Sequence, residues 1–527
     1  MTQKTQNERL LRSTLAVSAP TVISRIFGYL RDMLQAKFMG TGMGMDAFTI
    51  AFLIPNLLRR LTGEGAMTAA FVPVFTQLKR DETKEKLWKF ANTFFFDLTL
   101  IMALVTVLGV VFAPLLVRII GWGFGAETGD LTVLLTRLMF PYIFLVSLAA
   151  LIMAILNSFH RFFVPALTPV LFNLAIILIA VVFARNTSEP AYVFAAGVLV
   201  GGLLQLGFQI PFVWRRGMRF QLLISFRHPA VRRVGRLMVP GIFGAGIYQI
   251  NMAISRMIAS SLEEGSVSSL YYASRVEELT LGIFAIALSV ALLPTLSDLA
   301  ARKDAEGMKR TLNFSMRAIA FITFPAAIGL VILNRPIIQV LFERGAFDAS
   351  STDMTASCLF YFAFGIPFIS GVKMLAPAFY SLKDTKTPVI VAFFVTFIYI
   401  GCSVWLMDSL RVAGIALALS ISSLINYGSL FLLLERKIGR LRDRETLLSC
   451  LKSLLFAMLM GVGIWTFFGL FAFSEQPFIH RLLILAVTIV LGVLSYLGLN
   501  LLFSRRELRS LRRVFIKDSE GQGKERP

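Results

Sequence analysis

Apolar runs about twenty residues long recur from one end of the chain to the other, broken by short polar stretches. Each is long enough to cross a bilayer as a helix. Read with a window of that length, they give about fourteen segments, near 15–37, 46–78, 92–119, 131–156, 163–184, 191–213, 237–261, 266–298, 312–333, 354–381, 386–408, 413–434, 449–473 and 481–503. The fold class they predict is an all-α integral membrane protein. The second and eighth segments exceed one simple span, so they are expected to tilt or to protrude into solvent.

The pattern also repeats. Pro20 and Pro73 bracket the first two segments, and Pro240 and Pro294 bracket the seventh and eighth at nearly equal separation. The closing phrases correspond, AAFVPVFTQL at 69–78 with VALLPTLSDL at 290–299. Thr168-Pro169-Val170, opening the fifth segment, is echoed by Thr387-Pro388-Val389, opening the eleventh. Two lobes of six helices are therefore expected. An even number of spans per lobe keeps the same orientation, so the repeat axis lies along the membrane normal. The expected divisions are a first lobe with its following loop at 1–236, a second lobe at 237–446, two extra helices at 447–503 and a basic tail at 504–527.

Composition narrows the class further. With 527 residues, 56% of them hydrophobic, and a mean hydropathy of +0.74, a soluble globular chain is excluded. A net charge of +21 raises the question of nucleic acid. The positions answer it, because the basic residues cluster in alternate loops. Lys79, Arg80, Lys84, Lys86 and Lys89 follow the second segment, and Arg215, Arg216, Arg219, Arg227, Arg232, Arg233 and Arg236 follow the sixth. Arg302, Lys303, Lys309 and Arg310 follow the eighth, and Arg436, Lys437, Arg440, Arg442 and Arg444 the twelfth. The intervening loops are nearly bare, which places both termini in the cytoplasm. No nucleic-acid partner is expected. The tail from Arg505 is expected against anionic lipid or frayed.

No cleavable signal is expected ahead of the first segment. Cys358, Cys402 and Cys450 are isolated, and His160, His228 and His480 are scattered among loops. Neither a disulfide, a metal site nor a cofactor is expected from them.

Charge within the apolar segments is the remaining signal. The first two segments carry Arg25, Arg31, Asp32, Asp46, Arg59, Arg60 and Glu64. Each such residue near a bilayer centre costs roughly 2.5–3.5 kcal/mol on insertion scales, so it must face a partner, a wet cavity or a substrate. At 100° per residue, Arg25, Gly28 and Asp32 share a face of the first helix, with Arg31 about a third of a circle away. Asn56, Arg59, Arg60 and Gly63 share an arc of the second, with Glu64 at its edge. In the eighth, Ser268, Tyr271, Tyr272, Arg275 and Glu278 fall on one stripe, with Glu277 adjacent. Converging arginines suit a phosphate or diphosphate, because guanidinium forks onto its oxygens and keeps its charge. Asp32, Glu64 and Glu278 could hold those arginines in place in an empty cavity. The competing reading is a set of ion pairs locking helices together. Buried pairs are poor stabilisers, so this many in three segments favour function. Glu263 and Glu264 sit at a segment end and read as solvated, and Lys373 reads as a further cavity candidate.

A cation-coupled drug exporter would want an acidic, aromatic cavity instead. A membrane enzyme acting on polyprenyl phosphates would need a carboxylate or histidine base and usually a larger loop domain.

SRIFGYLRD, Asp46-Ala47-Phe48 and PNLLRRLTGEGA resemble the MurJ (MviN) lipid II flippases of the multidrug/oligosaccharidyl-lipid/polysaccharide exporter superfamily. So do GSVSSLYYASRVEE at 265–278 and MLAPAFYSLKDTKTP at 374–388. The resemblance covers essentially the whole chain. It implies a V-shaped, two-lobed transporter of the bacterial inner membrane, not an enzyme, and a monomer without cofactors. Its substrate would be lipid II, undecaprenyl-diphosphate-MurNAc-pentapeptide-GlcNAc, moved to the outer leaflet by alternating access. The resemblance further implies cavity roles for Arg25, Arg31, Arg59 and Arg275, with Asp32, Asp46, Glu64 and Ser268 as further matched positions. It implies a groove for the polyprenyl tail in the last two helices. Two departures stand out. Ser274 occupies a position where some relatives carry an acid. The seventh, eleventh and twelfth segments lack internal carboxylates, which puts a sodium site in doubt.

Overall fold

The computed structural model describes residues 3–59, 67–441 and 443–504, and over these every regular element is helical. The chain divides into two compact units, Met1–Ser268 with Arg344–Asp348, and Ser269–Glu343 with Ala349–Pro527.

The first unit contains α1 (Gln3–Met39), α2 (Met43–Arg59), α3 (Met67–Asp81), α4 (Lys84–Val111), α5 (Ala113–Ile120), α6 (Ala126–Met139), α7 (Tyr142–Ser158), α8 (Phe163–Phe183), α9 (Pro190–Trp214) and α10 (Pro229–Ala259). Local chemistry marks the helix starts. Thr83 Oγ1 accepts the Lys86 N–H ahead of α4, and Pro190 and Pro229 open α9 and α10, where a missing N–H costs nothing. The core is aromatic. Phe71 and Phe75 on α3 meet Phe90 and Phe94 on α4, with the Phe71 ring 5.6 Å from Phe90 and 5.2 Å from Phe94. Polar side chains of α4 then tie down the long connection after α9. Asn92 Oδ1 accepts the Gln221 N–H at 3.0 Å, and Asp97 Oδ1 accepts the Ser225 N–H at 2.9 Å. Extended backbone beside an apolar helix thereby finds acceptors.

The second unit takes in most of α11 (Ser266–Ala301), then α12 (Ala305–Phe342), α13 (Ala349–Ser381), α14 (Lys386–Leu410), α15 (Val412–Ile438), α16 (Arg444–Phe468) and α17 (Phe478–Phe503). Leu333 leaves helical geometry (φ −101°, ψ 16°) three residues before Pro336, whose ring and missing N–H break the ladder of α12. In the turn between α13 and α14, Asp384 accepts from Lys437 at 2.8 Å and from Thr387. Those contacts hold its carboxyl below the usual carboxylate range.

α16 and α17 pack through small residues. A Cβ on Gly461 of α16 would meet Ile328 of α12 at 2.6 Å, and one on Gly492 of α17 would meet Ile464 of α16 at 2.6 Å, so the glycines permit close approach of α16 to α12 and of α17 to α16. Their other faces are apolar and exposed, with Leu451, Leu455, Val462 and Trp465 on α16 and Leu483, Val490 and Leu494 on α17. Such a surface suits hydrocarbon rather than water. Glu343 pins the start of α17 by accepting from Gln339, from Thr352 and from Arg481 at 3.2 Å.

Among the described residues, ten helices are long and apolar enough to cross a membrane. Shorter apolar stretches run over Met43–Leu57, Ile250–Ala259 and Leu292–Ala301. The other four segments read from the sequence, 15–37, 46–78, 237–261 and 266–298, fall in α1, in α2 and α3, in α10 and in α11. Three of the four carry the charged residues singled out above. The repeat places α10 with the later helices, whereas compactness places it in the first unit. Repetition follows ancestry of sequence, and compactness follows contact in space.

Candidate functional site

In α1, Arg31 and Asp32 are both buried, at 9% and 0% exposure. Arg31 donates from Nε and Nη2 to Asp32 Oδ1 at 3.1 and 2.7 Å, and from Nη1 to Asn173 Oδ1 on α8 at 3.0 Å. Asn173 in turn donates to the Ser24 carbonyl at 3.2 Å. One guanidinium therefore serves an acid on its own helix and an amide on another. Arg25 differs. It is exposed and makes no ion pair among the described residues, and its neighbours Val22, Ile26 and Leu30 are exposed aliphatic side chains.

Asp46, 2% exposed in the first turn of α2, accepts from the Gly265 N–H and the Ser268 N–H, each at 2.8 Å. It caps the start of α11, where otherwise unpaired N–H groups and the helix dipole favour an anion. The exchange is reciprocal, because Glu264 accepts the Met43 N–H at the start of α2 at 2.6 Å. Gly265 makes the turn with φ +89°, and a Cβ there would stand 2.5 Å from the Thr41 carbonyl oxygen. Ser268 Oγ returns a hydrogen bond to the Gly265 carbonyl at 3.2 Å. Beside this junction, the Ala346 N–H donates to the Lys37 carbonyl at 2.9 Å, docking the 344–348 turn onto the end of α1.

At the other end of α2, Arg59 donates from Nε and Nη2 to Asn56 Oδ1 at 3.1 and 2.9 Å. Arg60 and Glu64 lie outside the described residues.

In the second unit, Arg275 pairs with Glu278 at 3.0 Å and lies 5.7 Å from the Tyr271 ring centroid. All three are partly open, but Ser268 and Tyr272, which the sequence put on the same stripe, are buried at 0% exposure. The face turned away from Arg275, with Ala273, Val276 and Glu277, is buried. Among the described residues, no cluster of three or more His, Cys, Asp or Glu could hold a metal ion.

The sequence singled out the charges but missed several partners. Asn173 is an amide in an otherwise apolar run, and that oddity was the available signal. Glu264 is exposed, as expected for a solvated residue, yet it also caps α2.

A family model described as "Lipid II flippase MurJ" matches residues 35–485. The chain belongs to the MurJ family. Its MurJ relatives include a "Lipid II flippase MurJ" from Burkholderia cenocepacia, 33% identical, with 93% of this chain and 96% of that one covered. Another, the "Probable lipid II flippase MurJ" of Vibrio cholerae serotype O1, is 33% identical over 96% of this chain and 98% of its own. A solved MurJ structure, "Lipid II flippase MurJ, inward closed conformation", superposes with a TM-score of 0.78 at 28% identity, covering 94% of this chain and all (100%) of that one. An inward-facing multidrug transporter of the MOP superfamily reaches a TM-score of 0.67 at 13% identity and shares the fold.

Proposed function

We infer that this chain is a lipid II flippase of the bacterial inner membrane, a multi-pass transporter rather than an enzyme, working by alternating access. The observation that carries the substrate reading is the state of the arginines. Arg25 is an open guanidinium among exposed aliphatic side chains, which suits a diphosphate attached to hydrocarbon. Arg31 and Arg275 are held by carboxylates, and Arg59 by an amide oxygen, ready to exchange those acceptors for phosphate oxygens. Phosphate offers the same forked geometry with more charge. In this reading each unit offers guanidinium to the substrate, Arg25, Arg31 and Arg59 in the first and Arg275 in the second. Arg60 and Glu64 join the first set by their sequence positions. Asp32 and Glu278 keep the arginines oriented between substrates, while Asp46 and Ser268 shape the junction of α2 and α11. The chain acts as a monomer. Depleting it from cells should leave lipid II accumulating on the cytoplasmic side of the inner membrane. Undiminished arrival of lipid II at the outer face would overturn the reading.

Orientation rests on the loop charges, with both termini in the cytoplasm. With Cys358, Cys402 and Cys450 replaced, a cysteine at Thr128 should react with an impermeant thiol reagent outside intact cells, and one at Thr83 should not. The reverse labelling would invert the proposed direction of transport.

A further inference from the structure

Glu277 stands apart from the charged stripe of α11. Arg275 and Glu278 are partly open and pair with each other, but Glu277 is one position around the helix and only 5% exposed, beside buried Val276 and Ala273. Its Oε1 is buried without a hydrogen-bond partner. The charged groups acting on it are Glu278 on its own helix and Lys373 on α13. Further along α11, Ser289 Oγ donates to the Lys373 carbonyl at 2.8 Å and ties α13 to this helix. The Lys373 ammonium is half-buried and makes no ion pair among the described residues. An acid and a base thus stand on two helices joined by that bond, without pairing with each other.

An ionised carboxylate cannot keep an oxygen buried and unpaired at low cost. Two arrangements relieve the conflict. The carboxyl can bind a proton and remain where it is, or it can release the proton to water and accept a hydrogen bond from the Lys373 ammonium. We propose that Glu277 is a proton-binding site in the second unit, with Lys373 as the counter-charge that replaces the proton. The buried, unpartnered Oε1 is the geometry that the first arrangement requires. Arg275 takes no part, because its partner is Glu278.

The test is an infrared difference titration of the purified full chain in lipid nanodiscs, following the carbonyl stretch of protonated carboxyl groups. It needs no transport substrate, so it stands or falls apart from the flippase reading. One carboxyl band should appear and vanish across the titration, and Glu277→Gln, which keeps shape and neutrality, should remove it. Lys373→Met should keep the band and move its midpoint to higher pH, because the cation that favours ionisation is gone. Glu277→Asp serves as a second variant, retaining a titrating band at a shifted frequency. A titration unchanged by Glu277→Gln would overturn the proposal. So would a midpoint that ignores Lys373→Met.

Discussion

Arg25→Ala is expected to reach the membrane at its normal level and to fail completely to support growth of cells that depend on this chain. The side chain is exposed and unpaired among the described residues, so its removal leaves no buried acid behind. Arg31 is a harder case. Its loss takes from Asp32, at 0% exposure, the cation 2.7 Å away, and breaking such a buried pair costs about 3–5 kcal/mol. Arg31→Ala should therefore lower the protein level as well as growth. The double change Arg31→Leu with Asp32→Leu removes that penalty and should restore the level without restoring growth. Arg31→Lys should rescue only partly, since an ammonium lacks the planar fork that spans Asp32 and Asn173 together. Immunoblots of membranes beside complementation separate the two effects. Growth of the neutral double variant would show that the charges are structural.

Gly265→Ala should be the most damaging single methyl added to the first unit's α2–α11 junction. The residue holds φ +89°, and the new Cβ would sit 2.5 Å from the Thr41 carbonyl oxygen. Left-handed geometry at a non-glycine residue costs on the order of 1–3 kcal/mol before any clash. The clash cannot be relieved without moving the N–H that Asp46 accepts at 2.8 Å. Thermal unfolding in detergent should fall by several degrees. Gly463→Ala is the control, because a Cβ there meets nothing within 4 Å and alanine is the better helix former. Equal melting of the two variants would mean that the junction carries no stability.

Most of the helical architecture could be read in advance, because apolar length is a property of each segment alone. The breaks were less visible. The segment read as 131–156 is divided between α6 and α7 at Phe140 and Pro141, and the one read as 92–119 between α4 and α5 at Phe112. A short interruption hardly lowers hydropathy averaged over twenty residues. Charges in the site were legible because a buried charge is conspicuous. Their acceptors were not. Asp46 was visible as an acid in an apolar run, but its donors lie 219 and 222 residues away, and nothing in either stretch names the other. Glu277 was seen only as a neighbour of the stripe, since one residue of helix rotation separates an open face from a buried one.

The Arg31 arrangement also bears on how the chain is made. Asn173 lies 142 residues beyond Arg31, and at roughly 5–20 residues per second the ribosome needs about 7–28 s to supply it. During that interval α1 exists without α8. Asp32 is the very next residue, so the ion pair closes as soon as the helix turns, and the nascent segment carries one less net charge into the bilayer. The amide on α8 arrives later, to a guanidinium already shielded. Synthesis order and side-chain order therefore agree, with the local acid first and the distant amide second.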